Sequence, residues 1–416
     1  MAALLSLPVC GLAQSFTCGP SLSATSLDQT TRYSPASAGW ERGRAPTLFS
    51  TDTCASDTSF FFSAPVAEGN YTVTIELGGP ESVVTTVRAE SRRLMVRQIP
   101  TAAQAATTVR FTVNVRTPQI PGGGEVHRKP REMDSPNWDT KLTLEFAGER
   151  PSVHTIRIEP ASKKIPTVYL AGDSTVVDQE TEPWAAWGQM LPAFFGPDVA
   201  IANHAESGET IASFENENRF AKIFSTLKRG DYLFLQFAHN DMKPGPGYVS
   251  PEQYTALLRK YIAMARQRGA TPVLVTSTQR RTFDANGHIT ESLAPYPQTM
   301  RDLATSDHIA LIDLNAMSKT LYEAIGEPNS RSLFVYAAPN TYPGRVEALH
   351  DDTHFNSYGA YEMAQCVVAG IRKSIPSLAS LLRKPLPAFD PAHPDAPASV
   401  AVPPTPFVDA AKPYER

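Results

Sequence analysis

The sequence lacks a charge excess of either sign. Its 38 lysine and arginine residues and 42 aspartate and glutamate residues leave a net charge of −4 at pH 7 over 416 residues. Nucleic-acid-binding proteins normally carry a basic excess, and no apolar run here approaches the roughly 20 residues that cross a bilayer. We therefore expect a globular protein whose partners are neither nucleic acids nor membranes; the sequence leaves its oligomeric state open.

Cysteine is also scarce, with four residues in the chain. Residues 1–13 are apolar and end in small residues, which is typical of the core and cleavage site of a secretory signal, although no lysine or arginine precedes them. We expect a signal remnant there and a secreted or periplasmic protein; a simply apolar N-terminus is the alternative. Export would permit a Cys18–Cys54 disulfide across a turn-rich segment, and two buried thiols are the alternative. Cys366 is predicted to be a core residue.

From about Ser59 to Pro160, within a first domain predicted at residues 14–164, the sequence shows the two-residue alternation of β-strands. Apolar residues recur in YTVTIEL from Tyr71, in VRFTVNV from Val109 and in TIRIEP from Thr155, which predicts an antiparallel β-sandwich domain. Between two of these runs, residues 117–139 contain three consecutive glycines. No lysine followed by serine or threonine and no helix start accompanies them, so we expect a long mobile surface loop rather than a phosphate-binding loop.

Residues 165–386 change to buried strands that alternate with helices. Compact apolar runs at 167–171, 199–204, 232–237, 272–276 and 310–314 are typical of parallel strands, and 251–268 is a helix with Ser250 as its cap. This pattern predicts a three-layer α/β/α domain with a parallel central sheet and its functional residues at the carboxyl ends of the strands. The Pro/Ala-rich residues 387–416 are expected to form an extended tail without a catalytic role.

Four segments after these strands hold the parts of an acyl-transfer site. Ser174 in GDST is expected on a turn before a helix, where its hydroxyl is exposed. Gly208 in SGET lets a backbone N–H approach a ligand, and Asn240 in FAHND can donate to a developing oxyanion. In HDDTH, the spacing lets Asp351 accept a hydrogen bond from one nitrogen of His354, which leaves the other nitrogen free to take the serine proton.

Two neighbouring histidines leave alternatives open. His239, beside Asn240, is interpreted as a structural residue. The cluster of His350, Asp351, Asp352 and His354 could in principle hold a divalent ion, but no second cluster accompanies it. We therefore expect no metal.

The order GDST, SGET, FAHND and DDTH resembles the SGNH, or GDSL-type, hydrolase superfamily over residues 165–385. Within it, QFAHND resembles the QFGHND block of rhamnogalacturonan acetylesterases and related pectin deacetylases. The resemblance implies Ser174 as nucleophile, His354 as base and Asp351 as the orienting acid. It also implies an oxyanion hole made of the Ser174 and Gly208 N–H groups and the Asn240 amide.

The resemblance further implies a carbohydrate O-acetylesterase that acts on an acetylated pectic polysaccharide and needs no cofactor. Arg280 is a candidate for binding a substrate carboxylate, because a guanidinium fits a carboxylate well; a salt bridge within the protein is the alternative. An esterase or lipase for other acyl groups and a noncatalytic polysaccharide-binding protein are the rival functions. We expect residues 14–164 to be a carbohydrate-binding-like domain, with Trp40 and Trp138 as candidate stacking residues, and to be dispensable for small esters.

Overall fold

The structure is a computed structural model that describes residues 13–413. All but the last residue of the predicted signal segment, 1–13, lie outside the described residues. Within residues 13–413, no helix combines the length and apolar character needed to cross a membrane.

The C-terminal half is built on parallel strands, which confirms all five predicted strands to within two residues. They pair side by side in the order β18-β17-β16-β14-β15. The strands of this half are β14 (Thr167–Gly172), β15 (Ala200–Asn203), β16 (Tyr232–Gln236), β17 (Thr271–Val275), β18 (Ala310–Ile312), β19 (Phe334–Ala337) and β20 (Leu349–Phe355).

Helices cover both faces of these parallel strands. Consecutive residues of a strand point to opposite faces, and accordingly Leu170 joins one apolar core while Tyr169 and Ala171 join the other. The α-helices are α1 (Trp187–Met190), α2 (Ile211–Asn216), α3 (Arg219–Thr226), α4 (Pro251–Gln267), α5 (Tyr296–Ser306), α6 (Leu314–Ile325), α7 (Ser357–Ser374) and α8 (Pro376–Ala379). This half therefore has the expected three-layer α/β/α arrangement.

Helix α4 begins as the sequence predicts. The Ser250 side chain accepts a hydrogen bond from the Gln253 N–H at 3.3 Å, which satisfies one of the free N–H groups of the first turn. Its apolar face, which includes Tyr254, Leu258 and Ile262, is buried in the core on that side of the sheet.

The N-terminal half consists of strands and short 3-10 helices. Its strands are β1 (Gln14–Cys18), β2 (Thr25–Leu27), β3 (Gly39–Trp40), β4 (Leu48–Phe49), β5 (Cys54–Ala55), β6 (Phe60–Pro65), β7 (Gly69–Gly78), β8 (Val83–Ala89), β9 (Arg93–Thr101), β10 (Ala106–Val115), β11 (Lys141–Glu149), β12 (Ser152–Val153) and β13 (Thr155–Pro160). Five of them form an antiparallel sheet in the order β3-β6-β11-β8-β9.

The central sheet is mixed, not purely parallel, and this corrects the predicted architecture. Strand β10 pairs with β15 in parallel at Val113 and Ile201. Strands β7, β13, β1 and β2 then follow β10, which makes one sheet of ten strands across both halves. An exposed edge strand offers unpaired backbone groups, and β10 covers that edge of the parallel strands. A separate N-terminal β-sandwich domain is thus not confirmed.

The cysteines and the two tryptophans have defined places. Cys18 and Cys54 form a disulfide with their Cα atoms 5.6 Å apart, whereas Cys366 is free and buried, as predicted.

Trp40 and Trp138 are both buried, so neither indole presents a free face for a sugar ring.

The tail after residue 386 lies along the rest of the protein. Arg88 donates a hydrogen bond to the Pro403 carbonyl, Phe407 packs edge-on against Phe61, and the Trp184 indole donates to the Asp409 carbonyl at 3.1 Å. The tail therefore contacts both halves of the chain, as an extended segment docked on the surface.

Candidate active site

Ser174 lies just beyond the carboxyl end of β14. The Asp173 carboxylate accepts hydrogen bonds from the Thr175 N–H at 2.9 Å and the Thr175 hydroxyl at 2.8 Å, which fixes the turn around Ser174. The helix expected after this turn is absent, because the next helix of the described chain begins at Trp187. The turn and the hydrogen bond from the Gln179 amide to the Ser174 carbonyl at 3.1 Å orient the serine.

The structure brings Ser174, His354 and Asp351 into a hydrogen-bonded row. The Ser174 Oγ is 2.9 Å from Nε2 of His354, and Nδ1 of His354 is 3.0 Å from Oδ2 of Asp351. All three residues are at most 6% exposed. Serine, imidazole and carboxylate in this order can transfer the hydroxyl proton to the ring.

Asp351 is held as a carboxylate. Its Oδ1 accepts hydrogen bonds from the backbone N–H groups of Thr353 and His354, each at 2.8 Å. Burial by itself raises the pKa of Asp351, but the hydrogen bond and charge of His354 together with these two N–H groups lower the pKa to about 2. An ionised Asp351 accepts a hydrogen bond from Nδ1 of His354, which orients the ring so that Nε2 can accept from Ser174.

Three potential oxyanion donors border the same cleft. Ser174, Gly208 and Asn240 all line a cavity of about 250 Å³. Within the described residues, the N–H groups of Ser174 and Gly208 have no hydrogen-bond acceptor. The Asn240 amide nitrogen donates to the Glu209 carbonyl at 3.0 Å, which leaves its second hydrogen for a ligand. Gly208 has φ +82°, a left-handed conformation that glycine adopts without strain.

His239 borders this cleft as a buried residue. Its Nε2 is 2.8 Å from the Thr278 carbonyl, so that nitrogen must carry the hydrogen. Burial lowers the pKa of His239 and keeps the ring neutral. These contacts support the structural role assigned to it from sequence.

The two arginines after β17 have different surroundings. Arg281 pairs with Asp352 at 2.6 Å and donates to the Tyr336 hydroxyl at 3.1 Å. Arg280 lines the cleft and donates to the His239 carbonyl at 3.2 Å; in residues 13–413 no carboxylate lies within salt-bridge distance of it. The internal salt bridge considered as the alternative for Arg280 is therefore absent among residues 13–413, whereas the neighbouring Arg281 forms one.

Comparison with known proteins shows which family the chain belongs to. The GDSL-like Lipase/Acylhydrolase family matches residues 170–360. The rhamnogalacturonan acetylesterase RhgT of Bacillus subtilis (strain 168) is 43% identical over 213 residues, which make up 51% of this chain and 91% of RhgT. The chain belongs to the GDSL-like lipase and acylhydrolase family. It is therefore an ester hydrolase of the serine type.

Other relatives of this GDSL-like hydrolase are more distant. The probable rhamnogalacturonan acetylesterase YesY of the same bacterium is 31% identical over 222 residues, covering 52% of this chain and 98% of YesY. The crystal structure of Bacillus subtilis YxiM is 22% identical, with a TM-score of 0.48, and covers 87% of this chain and 98% of the YxiM chain.

The residues considered as a metal cluster make other contacts in this GDSL-like hydrolase. His350 stacks on Tyr336 with ring centroids 5.4 Å apart, while Asp352 pairs with Arg281. Across residues 13–413, no group of three or more histidine, cysteine, aspartate or glutamate side chains is placed to hold a metal ion.

Sequence reasoning missed several residues beside the site. The loop at 117–139 contains two 3-10 helices, Pro130–Glu132 and Pro136–Trp138, and Lys129 and Arg131 reach from it to the Gly208 loop. The prediction of a surface loop holds for the exposed residues 121–125, whereas residues 130–138 contain the two 3-10 helices and contact the C-terminal half; the mobility of the loop stays a prediction. Pro130 and Pro136 were local signals, because proline favours the first position of a helix, but they do not say what the segment packs against.

Proposed function

We propose that this protein is a carbohydrate O-acetylesterase that removes acetyl groups from a pectic polysaccharide such as rhamnogalacturonan. The observation that carries the proposal is the hydrogen-bonded row of Ser174, His354 and Asp351 beside unpaired N–H groups. The 43% identity to the rhamnogalacturonan acetylesterase RhgT supports the substrate class.

The proposed reaction starts when Ser174 Oγ attacks the acetyl carbonyl and His354 Nε2 takes the hydroxyl proton. The N–H groups of Ser174 and Gly208 and the Asn240 amide stabilise the negative oxygen of the tetrahedral intermediate. Collapse breaks the bond to the sugar oxygen, which receives the proton from His354. Water, deprotonated by the same imidazole, then attacks the acetyl-enzyme and releases acetate, regenerating Ser174.

The lining of the cleft favours a short acyl group. Its side chains are polar or charged: Ser174, His239, Asn240, Lys243, Arg280, His350, Asp351, Asp352, Thr353, His354 and Lys412, with Gly208 contributing backbone. No aliphatic or phenyl side chain is among them in the described part of the chain, whereas a long-chain lipase needs an apolar channel. An acetyl group on a hydrated sugar needs none.

The cations at the cleft favour an acidic polymer. Arg280 and Lys243 line it together, and burial lowers the pKa of each, so that both guanidinium and ammonium are partly desolvated. A desolvated cation binds a carboxylate more strongly than an exposed one does. We infer that Arg280 binds the carboxylate of a uronate residue next to the acetylated sugar.

We also propose that the enzyme acts outside the cytoplasm and that residues 14–164 and 165–386 have distinct roles, substrate positioning and catalysis. The Cys18–Cys54 disulfide supports export, because such bonds persist in oxidising compartments.

An acetate-release assay tests the function. Wild-type protein should release acetate from acetylated rhamnogalacturonan faster than from acetylated xylan, and Ser174→Ala should reduce release to background with the fold intact by circular dichroism. Ser332→Ala, which changes an exposed serine, is the matched control and should keep full activity. Retained turnover in Ser174→Ala would refute the nucleophile, and a preference for long-chain esters would refute the substrate class.

A further inference from the structure

The peptide group between Ser207 and Gly208 is held from one side by two cations. The Ser207 carbonyl oxygen accepts a hydrogen bond from Nζ of Lys129 at 2.8 Å and another from Nη2 of Arg131 at 2.6 Å. Both cations come from the N-terminal half, about 80 residues earlier in the chain. Two charged donors on one carbonyl form strong hydrogen bonds.

This carbonyl belongs to the same peptide group as the Gly208 N–H. A trans peptide is planar, and its C=O and N–H point in opposite directions. Fixing the carbonyl toward Lys129 and Arg131 therefore aims the N–H away from them. Gly208 lines the Ser174 cleft, whereas neither cation does. The two cations thus lie behind the peptide group whose N–H borders the reacting site.

Each cation also holds a carboxylate that flanks this peptide group. Lys129 pairs with Glu209, and Arg131 donates to Glu206 at 2.8 Å. Burial raises the pKa of both glutamates, that of Glu206 to about 7. The loop is therefore fastened at its carbonyl and at the side chains on both sides of it.

The turn that carries the cations is itself anchored on the C-terminal half. Glu132, which is 3% exposed, accepts from both terminal nitrogens of Arg219 on α3, at 3.0 and 2.5 Å. It also accepts from the Lys129 N–H at 2.9 Å and the Trp138 indole at 3.0 Å. Arg219 is fully buried. This bidentate buried pair fixes Lys129 and Arg131 in position.

We propose that Lys129 and Arg131 are positioning residues of the oxyanion hole: they aim and polarise the Ser207–Gly208 peptide so that the Gly208 N–H meets the developing negative charge. The inference rests on the proposed acyl-transfer function and extends it, because it assigns part of the catalytic geometry to the N-terminal half. Polarisation along a hydrogen-bonded chain strengthens the distal donor.

The test uses full-length Lys129→Met and Arg131→Met, singly and together, with 4-nitrophenyl acetate. Losing an oxyanion donor outright costs about 100- to 1,000-fold in kcat. A misdirected donor should cost less than a lost one, so we expect kcat to fall about tenfold in each single variant and about 100-fold in the double variant. KM should change less than about twofold, because the carbonyl of the bound substrate gains little from the oxyanion hole before it reacts. Lys129→Arg should restore most of the activity.

A second readout separates positioning from a merely structural role. Methylboronic acid forms a tetrahedral adduct with a serine hydroxyl and places an oxygen in the hole, so its inhibition constant should rise by the same factor as kcat falls. Lys141→Met is the matched control, since Lys141 is similarly half-buried and pairs with Glu41 away from the site; it should change neither quantity.

The outcomes are distinguishable. Unchanged kcat in Lys129→Met and Arg131→Met, or a fall in kcat with unchanged boronate affinity, would overturn the positioning role. Should the double variant fail to fold, the single variants decide by the same comparison. If the proposed function fails, the wild-type protein will not release acetate in a Ser174-dependent way, and this result does not depend on the Lys129 and Arg131 variants.

Discussion

Replacing Arg280 by glutamine should weaken binding of uronate-containing substrates selectively. Arg280 lines the Ser174 cleft and has only the His239 carbonyl, at 3.2 Å, as a hydrogen-bond acceptor in the described residues. A hydrogen bond to a charged group contributes about 1.5–3 kcal/mol. At 1.4 kcal/mol per tenfold change, Arg280→Gln should raise KM for an acetylated oligogalacturonide about 10- to 150-fold.

Arg281→Gln is the matched control because it changes the next residue in the chain. Arg281 is committed to Asp352 and Glu327, whose side chains are 45% and 47% exposed and can be solvated when the arginine is lost. The variant should therefore lose about 1–2 kcal/mol of stability and keep its KM for the anionic substrate within about threefold.

The assay is steady-state kinetics on two substrates, an acetylated oligogalacturonide and the neutral 4-nitrophenyl acetate. Raising the salt concentration should increase the wild-type KM for the anionic substrate more steeply than that of Arg280→Gln, since the variant lacks one of the charges that salt screens. Equal losses on both substrates in Arg280→Gln, or an anion-selective loss in Arg281→Gln, would refute the assignment.

Three further predictions concern the triad, the disulfide and the N-terminal half. Asp351→Asn should lower kcat about 10⁴-fold. Because the pKa of Asp351 is lowered from 3.8 to about 2, its carboxylate stabilises the wild type by about 2 kcal/mol above pH 4, and this stabilisation is lost as the pH falls toward 2. The melting temperature of the variant should therefore fall less than that of the wild type between about pH 4 and pH 2. Cys18→Ser should cost about 3–4 kcal/mol, given the 36-residue separation, with kcat unchanged; an unchanged melting temperature would contradict this. A chain that starts at Ile165 should fail to fold, contrary to the expectation from sequence, because Leu94 belongs to the core of the C-terminal half; a folded, active fragment would disprove this.

Local signals account for most of what the sequence predicts. The strands at 167–172 and 232–236 are compact apolar runs, and helix α4 has its cap and apolar stripe within one segment. The Asp351 and His354 contact spans three residues. Such features depend on neighbours in the chain, which single-sequence patterns record.

The rest depends on partners far apart in sequence. Val113 pairs with Ile201, and Glu132 meets Arg219 across 87 residues. The sequence of a strand does not identify its neighbouring strand, because side-chain packing on both faces of the sheet determines which strands pair. The glycine run at 122–124 favoured the prediction of a loop, whereas the side chains of Lys129 and Arg131 just after it are held by carboxylates and a carbonyl of the C-terminal half.

The junction of β10 and β15 also bears on how the protein opens. The two strands are joined at the pair Val113 and Ile201 within one ten-stranded sheet, so separating the halves breaks that sheet in its middle and exposes the edge of β15. Local openings that expose buried amides follow cooperative units. Deuterium should therefore enter β10 and β15 at matched slow rates, and the two halves should unfold as one unit rather than as two modules joined by a linker.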